Sequence, residues 1–283
     1  MKVKQVRTSY DIQEFGKHLV VKHSLGEYND PYSPALFYGC YREEDIEAIE
    51  KHQSVAILLW GGSDAMRLQV LDRIIQLKRS RINPIYHIAP SSYIADDLDR
   101  VGIKYLRYNI FPKDEALFQP TPLGDKVYVY ASHTRSDRVE FYGLNYLPEL
   151  KRMFPDVEFI VHYASPITVP FSKMPEIYNE CALGLRLVPH DAGSCTVVEL
   201  ALMGRKCVWN GHFPGAIPYR TITDVAQAIY TQVNRAGVID RQLAIRAKES
   251  LSDDSWLYTE TYEALDFQPA NNLAQGELYA KLV

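Results

Sequence analysis

The sequence has few cysteines, and their spacing suits neither a disulfide framework nor a zinc site. Four occur in 283 residues, far apart or inside apolar runs and without a CxxC pair; they are Cys40, Cys181, Cys195 and Cys207. We interpret them as reduced, mostly buried thiols. No other metal-ligand pattern stands out, so we expect no metal and no cofactor.

Long apolar runs are also missing. None approaches the roughly 18–20 residues that span a bilayer, and the first residues are basic without the apolar stretch of a signal peptide. We therefore expect no membrane span and a cytoplasmic location. The net charge of −4 differs from the excess of basic residues that is usual in proteins that bind nucleic acid. A local basic patch is still compatible with this charge. Oligomeric state is not indicated.

Two common phosphate-binding motifs are absent. The chain has no GxGxxG after a first strand and no GxxxxGK[ST], which disfavours nicotinamide and P-loop chemistry. Asp97 and Asp99 have the DxD spacing of metal-dependent glycosyltransferases, but they fall in a predicted helix and are interpreted as solvated surface. A composition of 47% hydrophobic and 23% charged residues is typical of globular proteins, and the length suits two modest domains.

Short apolar runs alternate with helical patterns along most of the chain. In the first half we predict strands at 36–39, 54–60, 85–88 and 104–108, with helices at 42–52, 66–78 and 92–100. In the second half we predict strands at 126–131, 157–161, 183–188 and 205–209, with helices at 142–154, 174–182 and 196–203. Such alternation predicts an α/β protein with two parallel sheets, each covered by helices on both faces.

Composition along the chain suggests four segments. Residues 1–34 are polar and are predicted to be an extension laid over the first domain. The first α/β domain spans 35–118, and the second spans 119–255. Three prolines at 111–126 suit a linker that acts as a hinge. The aromatic tail at 256–283 is expected to cross back onto the first domain.

The strongest candidate site lies at 183–209. A predicted strand ends in a loop with Asp191, Gly193 and Ser194, and the helix that follows carries Glu199 eight positions after Asp191. Gly204 then ends the helix before the next strand. This pattern resembles the nucleotide-sugar-binding segment of GT-B glycosyltransferases, where an acid precedes a glutamate by eight positions. That family more often has glutamate at the first position, so Asp191 is a departure.

The resemblance implies two Rossmann-like domains facing across a cleft, with 35–118 on the acceptor side and 119–255 binding the nucleotide sugar. It also implies metal-independent transfer of a sugar from a nucleoside-diphosphate donor, such as a UDP-sugar, to a hydroxyl of a glycan or of a hydroxymethylated nucleic-acid base. Two alternatives stay open. One is a sugar-nucleotide epimerase of the same fold, and the other is a noncatalytic nucleotide-sugar-binding protein.

Elementary physics supports a donor site at this loop. A small-residue loop that runs into a helix offers unpaired N–H groups and the positive end of the helix dipole, which suit a diphosphate. We therefore assign phosphate binding to the loop and first turn, that is, Gly193, Ser194, Cys195 and Thr196. Glu199 is expected to accept both ribose hydroxyls. The alternative is that Glu199 is an ordinary acidic residue near the start of a helix and binds no ligand.

Charged residues beside this loop are further candidates. Arg186 is expected to bind the donor or to pair with a nearby acid, and His190 to contact the donor or to be an ordinary loop histidine. His190 and Asp191 are predicted catalytic residues. Arg135 and Arg138 follow the strand at 126–131 and are expected to meet the diphosphate, with a solvated loop as the alternative. Arg205 is interpreted as a solvated turn residue.

The acceptor side is predicted at Gly61, Gly62 and Ser63, which end a buried strand of the first half. Ligands in parallel α/β sheets bind outside the carboxyl ends of strands, and a glycine pair lets backbone approach a ligand closely. Asp64 is predicted to be a base or an orienting group for the acceptor, with a helix N-cap as the alternative. His87 and His162 end strands and are expected to line the cleft or to lie in the core.

Overall fold

The computed structural model describes residues 1–80, 83–131, 139–163 and 169–266, and it contains two parallel sheets with helices between the strands. The strands are β1 Gln5–Thr8, β2 Gly26–Glu27, β3 Ala35–Tyr38, β4 Ala56–Leu59, β5 Ile85–Ala89, β6 Leu106–Arg107, β7 Lys126–Ala131, β8 Phe159–Tyr163, β9 Cys181–Leu185, β10 Lys206–Val208 and β11 Ala216–Ile217. The helices are α1 Gln13–His23, α2 Glu43–Lys51, α3 Leu68–Ser80, α4 Ser92–Arg100, α5 Leu147–Met153, α6 Met174–Asn179, α7 Cys195–Leu202, α8 Ile222–Val233, α9 Arg241–Glu249 and α10 Glu260–Asp266. The predicted fold class is confirmed.

The first sheet has the strand order β2-β1-β3-β4-β5-β6. Apolar side chains of β3, β4 and β5 are buried on both faces, one face against α2, α3 and α4 and the other against α1 and residues near the chain ends. Burial on both faces explains why these strands are continuous apolar runs in the sequence.

The N-terminal segment is not an extension, contrary to the prediction for 1–34. Strand β1 pairs in parallel with β3 along its whole length, from Gln5 opposite Ala35 to Thr8 opposite Tyr38, and α1 packs beside it. This strand was not predicted because half of its residues are polar. Gln5 is buried and satisfied: its amide oxygen accepts from the N–H groups of Asn29 and Asp30.

The second sheet has the order β11-β10-β9-β7-β8. Its first two strands in sequence, β7 and β8, are neighbours, while β9 joins the opposite edge of β7 and the sheet grows outward from there. The gap between the loops after β7 and β9 is therefore the topological switch point, where parallel α/β sheets bind their ligands. The predicted boundary between 118 and 119 stays a prediction.

The last described segment lies against the first sheet. The side chains of Trp256, Leu257 and Tyr262 are buried with Val3 and Tyr86 in one apolar cluster. The N–H of Val3 donates to the carbonyl of Leu257 at 2.8 Å, which ties the two ends of the described chain together. Residues 267–283 lie outside the described residues.

Arg205 is buried, contrary to its interpretation as a solvated turn residue. Its guanidinium donates to the carbonyl oxygens of Cys181, Met203 and Pro122 at 2.7–3.0 Å. Burial lowers the pKa of Arg205 to about 10. This arginine joins the end of α7 to the start of β9, a long-range role that sequence spacing does not reveal.

In the described part of the chain, every helix is too short or too polar to cross a membrane.

Candidate functional site

Loops from the two sheets meet face to face, as the fold prediction requires. A methyl group added at Gly62 would lie 3.2 Å from the Cβ of Ala192, and one added at Gly193 would lie 3.4 Å from the carbonyl oxygen of Pro90. Both glycines have positive φ, of 136° and 151°, which other residues rarely adopt. The two predicted glycine turns therefore form opposite walls of one cleft.

The start of α7 offers unpaired N–H groups at this cleft. The N–H groups of Gly193, Ser194, Cys195 and Thr196 have no hydrogen-bond partner among the described residues, whereas Ser194 Oγ accepts from the N–H of Val197 and caps the helix. The loop before α7 follows β9 at the switch point of the second sheet. This combination favours an anion such as a phosphate.

The thiol of Cys195 takes no part as an anion. Burial raises its pKa to about 11, so the side chain stays protonated near neutral pH. The feature that Cys195 contributes at the helix start is thus its backbone N–H.

Arg186 and Asp191 form a bidentate ion pair inside the loop. Arg186 donates to both carboxylate oxygens of Asp191 at 2.7 and 2.9 Å, and its guanidinium lies 4.0 Å above the ring of Tyr130. Burial opposes the charge of Arg186, but Asp191 and Tyr130 outweigh it and raise the pKa. Both side chains are largely buried. The pair frames the loop and occupies both oxygens of Asp191, whose predicted catalytic role stays a prediction.

Glu199 is enclosed by partners from distant parts of the chain. Its side chain is 3% exposed; one oxygen accepts from Lys113 Nζ at 3.0 Å and the other from the hydroxyl of Tyr178 at 2.6 Å. The carboxylate has four lone-pair positions, so two remain. Contact with a ribose stays a prediction, and it would use these two remaining positions.

Lys113 is a site residue that the sequence does not reveal. It lies in the segment between β6 and β7, 86 positions before Glu199, and was considered only as part of a linker. Its ammonium group lies 4.0 Å from the centre of the Phe171 ring and 5.9 Å from that of Phe15. Burial opposes the charge, but the neighbouring Cys195 and Glu199 raise the pKa of Lys113 above its ordinary value.

His190 and Asp97 pair across the cleft. The distance from His190 Nε2 to Asp97 Oδ2 is 2.7 Å, and Asp97 is 3% exposed. Asp97 is thus a buried partner of His190, in the loop before α7, and not solvated surface, which corrects its interpretation. His190 was predicted to be catalytic or donor-binding. The structure shows instead a histidine whose Nε2 is held by the opposite domain.

Asp64 organises the glycine turn of the first domain. Its carboxylate is fully buried and accepts from the N–H groups of Cys40, Gly61, Gly62 and Ala65 at 2.7–3.1 Å. Burial raises the pKa of Asp64 above its ordinary value, while these four donors oppose the rise. A carboxylate so enclosed holds the loop, and its role as a base or orienting group for the acceptor stays a prediction.

The remaining acceptor-side residues lie at the carboxyl end of β4. Gly61 leaves no room for a side chain, because a methyl group there would lie 2.8 Å from the hydroxyl of Tyr41 and 3.1 Å from Ile12. Ser63 is exposed beside it. Tyr41 therefore joins the predicted acceptor wall, a contact between two strand ends that spacing alone does not indicate.

The other candidates are two arginines outside the described residues and two histidines that contact aromatic neighbours. Arg135 and Arg138 lie outside the described residues. His87 is buried against Trp60, with ring centres 6.0 Å apart, and burial lowers its pKa to about 3. His162 Nδ1 pairs with the hydroxyl of Tyr128 at 3.0 Å. Among the described residues no cluster of three or more His, Cys, Asp and Glu side chains is arranged to hold a metal ion.

Comparison with solved structures shows the same fold in glycosyltransferases. Sucrose-phosphate synthase from Thermosynechococcus elongatus is similar over 96% of this chain and 77% of its own, with a TM-score of 0.52 and 12% identity. HepE from Anabaena, in complex with UDP, is similar over 90% and 82%, with a TM-score of 0.55 and 12% identity. TarM is similar over 84% and 55%, with a TM-score of 0.54 and 10% identity.

These likenesses show that the chain has the GT-B fold, with two Rossmann-like domains. At 10–12% identity they concern architecture alone. No family model matches the sequence, and no curated protein matches it.

Proposed function

We propose that this chain is a glycosyltransferase. It moves a sugar from a nucleoside-diphosphate donor, with UDP-sugars the first candidates, to a hydroxyl of a glycan or of a hydroxymethylated nucleic-acid base, and it does so without a metal. The observation that carries the proposal is the row of N–H groups at 193–196, which have no partner among the described residues and lie at the switch point of the second sheet, opposite the glycine turn of the first.

The comparisons support the same function at the level of fold. The similar structures are glycosyltransferases, and that of HepE contains UDP. A nucleotide in the equivalent half of this chain would place its diphosphate at the start of α7 and its ribose near Glu199.

The proposed reaction needs charge stabilisation more than proton transfer. The bond between the anomeric carbon and the phosphate oxygen breaks, and the nucleoside diphosphate keeps the electron pair. The acceptor oxygen forms the new bond as its proton passes to an oxygen of the departing diphosphate. The negative charge of the leaving diphosphate is stabilised by the N–H groups of the α7 start and by Arg135 or Arg138. This division of roles is why we propose that no metal is required.

The test removes one backbone donor at a time. Cys195 is the first residue of α7, where proline is well tolerated, and Ser194 before it is extended, with φ −78° and ψ 109°, as a residue before proline prefers. Cys195→Pro deletes one N–H, and the control Cys195→Ala keeps it. A hydrogen bond to a charged group contributes about 1.5–3 kcal/mol, so the proline variant should bind UDP about tenfold more weakly or worse.

Calorimetry with UDP, preceded by a thermal-shift screen of nucleoside diphosphates and their sugars, measures these affinities. Equal affinities for Cys195→Pro and the wild type would remove this helix start from the donor site. Transfer of labelled sugar to glycan or DNA acceptors then tests the reaction. Donor hydrolysis or epimerisation with no transfer product would favour an epimerase, and tight binding without turnover a noncatalytic binder.

A further inference from the structure

Helix α4 of the first domain makes a set of contacts with the donor loop of the second. Ser91, the residue before α4, donates from Oγ to the carbonyl of Asp191 at 2.7 Å. Two residues along, the hydroxyl of Tyr93 points at the carbonyl of Val188 at 3.4 Å. Asp97, about one turn after Tyr93, accepts from His190. The N-cap of α4 and two residues within the helix thus contact residues 188–191.

The Asp97–His190 contact has the strongest geometry of the three. A carboxylate can only accept a hydrogen bond, so Nε2 of His190 carries the proton that is shared at 2.7 Å. Both side chains are mostly removed from water, and the imidazole also packs 5.7 Å from the ring of Tyr93. Arg100 pairs with the second oxygen of Asp97 from the exposed side at 2.6 Å. In a dry setting such a charge-assisted hydrogen bond is stronger than on the surface.

The loop is held from within its own domain by a different pair. Arg186 binds both oxygens of Asp191, the next residue after His190. The unpaired N–H groups begin only three positions after His190, at Gly193. Their direction is therefore set by two anchors on adjacent residues, one from each domain.

We propose that Asp97 is a positioning residue that acts through His190 to aim the N–H groups of the donor loop at the diphosphate. The inference rests on the proposed donor site. It implies that the nucleotide site is complete only when the first domain contacts the second, since the domain that faces the acceptor supplies one of the two anchors.

The test compares leucine and polar substitutions at both ends of the contact. His190→Leu deletes the hydrogen bond from a loop side chain, and Asp97→Leu deletes it from the helix. His190→Gln keeps an N–H donor that can reach Asp97. The matched control is Asp96→Asn, the neighbouring exposed acid on the same helix.

We expect both leucine variants to bind UDP at least tenfold more weakly than the wild type, and the pair of substitutions to cost no more than either alone. His190→Gln and Asp96→Asn should stay within twofold. In transfer assays the loss should appear in the KM for the donor, with kcat at saturating donor changed less than threefold. UDP affinity unchanged in His190→Leu would overturn the proposal, as would an equal loss in His190→Gln.

A measurement without ligand separates this inference from the proposed function. Hydrogen exchange of the peptide that spans residues 186–200 should be faster in both leucine variants than in the wild type, and unchanged in Asp96→Asn. If the wild type binds no nucleoside diphosphate, the proposed function fails while the exchange result still decides whether Asp97 orders the loop. Wild-type exchange rates in both leucine variants would refute the positioning role.

Discussion

The buried pair of Lys113 and Glu199 makes a quantitative prediction about stability. The ammonium and the carboxylate are 3.0 Å apart, and the two side chains are 15% and 3% exposed. Lys113→Met keeps most of the apolar stem against Phe171 but removes the charge, which leaves Glu199 buried and ionised. The native protein should then be destabilised, because the carboxylate of Glu199 is left buried without a cation beside it.

The expected size follows from what remains around Glu199. Breaking a buried pair by removing one partner costs about 3–5 kcal/mol. We expect the lower end, about 3 kcal/mol, because the hydroxyl of Tyr178 still donates to Glu199. Glu199→Gln leaves a cation that is partly in contact with water, and should cost about 1–2 kcal/mol. The double variant strands no charge and should lie within about 1 kcal/mol of the wild type.

Urea unfolding of the four proteins measures the coupling, which should be about 4 kcal/mol. The control is Lys126→Met, which removes surface pairs with Glu158 and Glu180 at 2.9 and 2.6 Å and should cost less than about 1 kcal/mol. If Lys113→Met is no more destabilising than this control, Glu199 is not balanced by Lys113 and the geometry has been misinterpreted.

Four further outcomes are expected. Glu199→Gln should weaken UDP binding tenfold or more, because the ribose hydroxyls lose an ionised acceptor; calorimetry that gives the wild-type affinity would remove Glu199 from the site. Gly193→Ala should lower the free energy of unfolding by about 1–3 kcal/mol, since φ is 151° there; thermal denaturation equal to the wild type would contradict this. Transfer activity should survive EDTA, and a rate lost to EDTA and restored by Mn²⁺ or Mg²⁺ would disprove metal independence. His87 has a folded pKa of about 3, so between pH 6.5 and pH 3 the unfolded chain binds its proton first and stability falls as the pH falls. From pH 7 to pH 5 the loss due to His87 should be about 2 kcal/mol, and an unfolding free energy with the same pH slope in His87→Leu would contradict this.

Much of the fold could be predicted because its strands are buried on both faces. Residues such as those of β4 and β9 form continuous apolar runs, and helical spacing between them indicates parallel sheets. Strand β1 was not predicted because its sequence, QVRT, is half polar. Its buried glutamine accepts hydrogen bonds from backbone N–H groups more than twenty residues away. A polar strand of this kind is recognised only once its partners are known.

The site was predictable only where it is local in sequence. The loop, the helix cap at Ser194 and the unpaired N–H groups all belong to one strand–loop–helix unit. The charges around that unit come from elsewhere: Lys113 lies 86 positions before Glu199, and Asp97 lies 93 positions before His190. Spacing shows that such residues exist but not which of them meet, so the pairs that Asp191 and His190, both predicted to be catalytic, form with Arg186 and Asp97 were not predicted.

Two contacts made from outside the second sheet affect how the donor would be bound. Lys113, from the segment between the sheets, contacts Glu199, and α4 of the first domain contacts the loop at 188–191. If the donor binds best when these contacts are made, linkage requires that bound donor favours the contact between the domains by the same factor. Lys113 leaves two lone-pair positions of the Glu199 carboxylate open, so its contact with Glu199 is compatible with a bound donor.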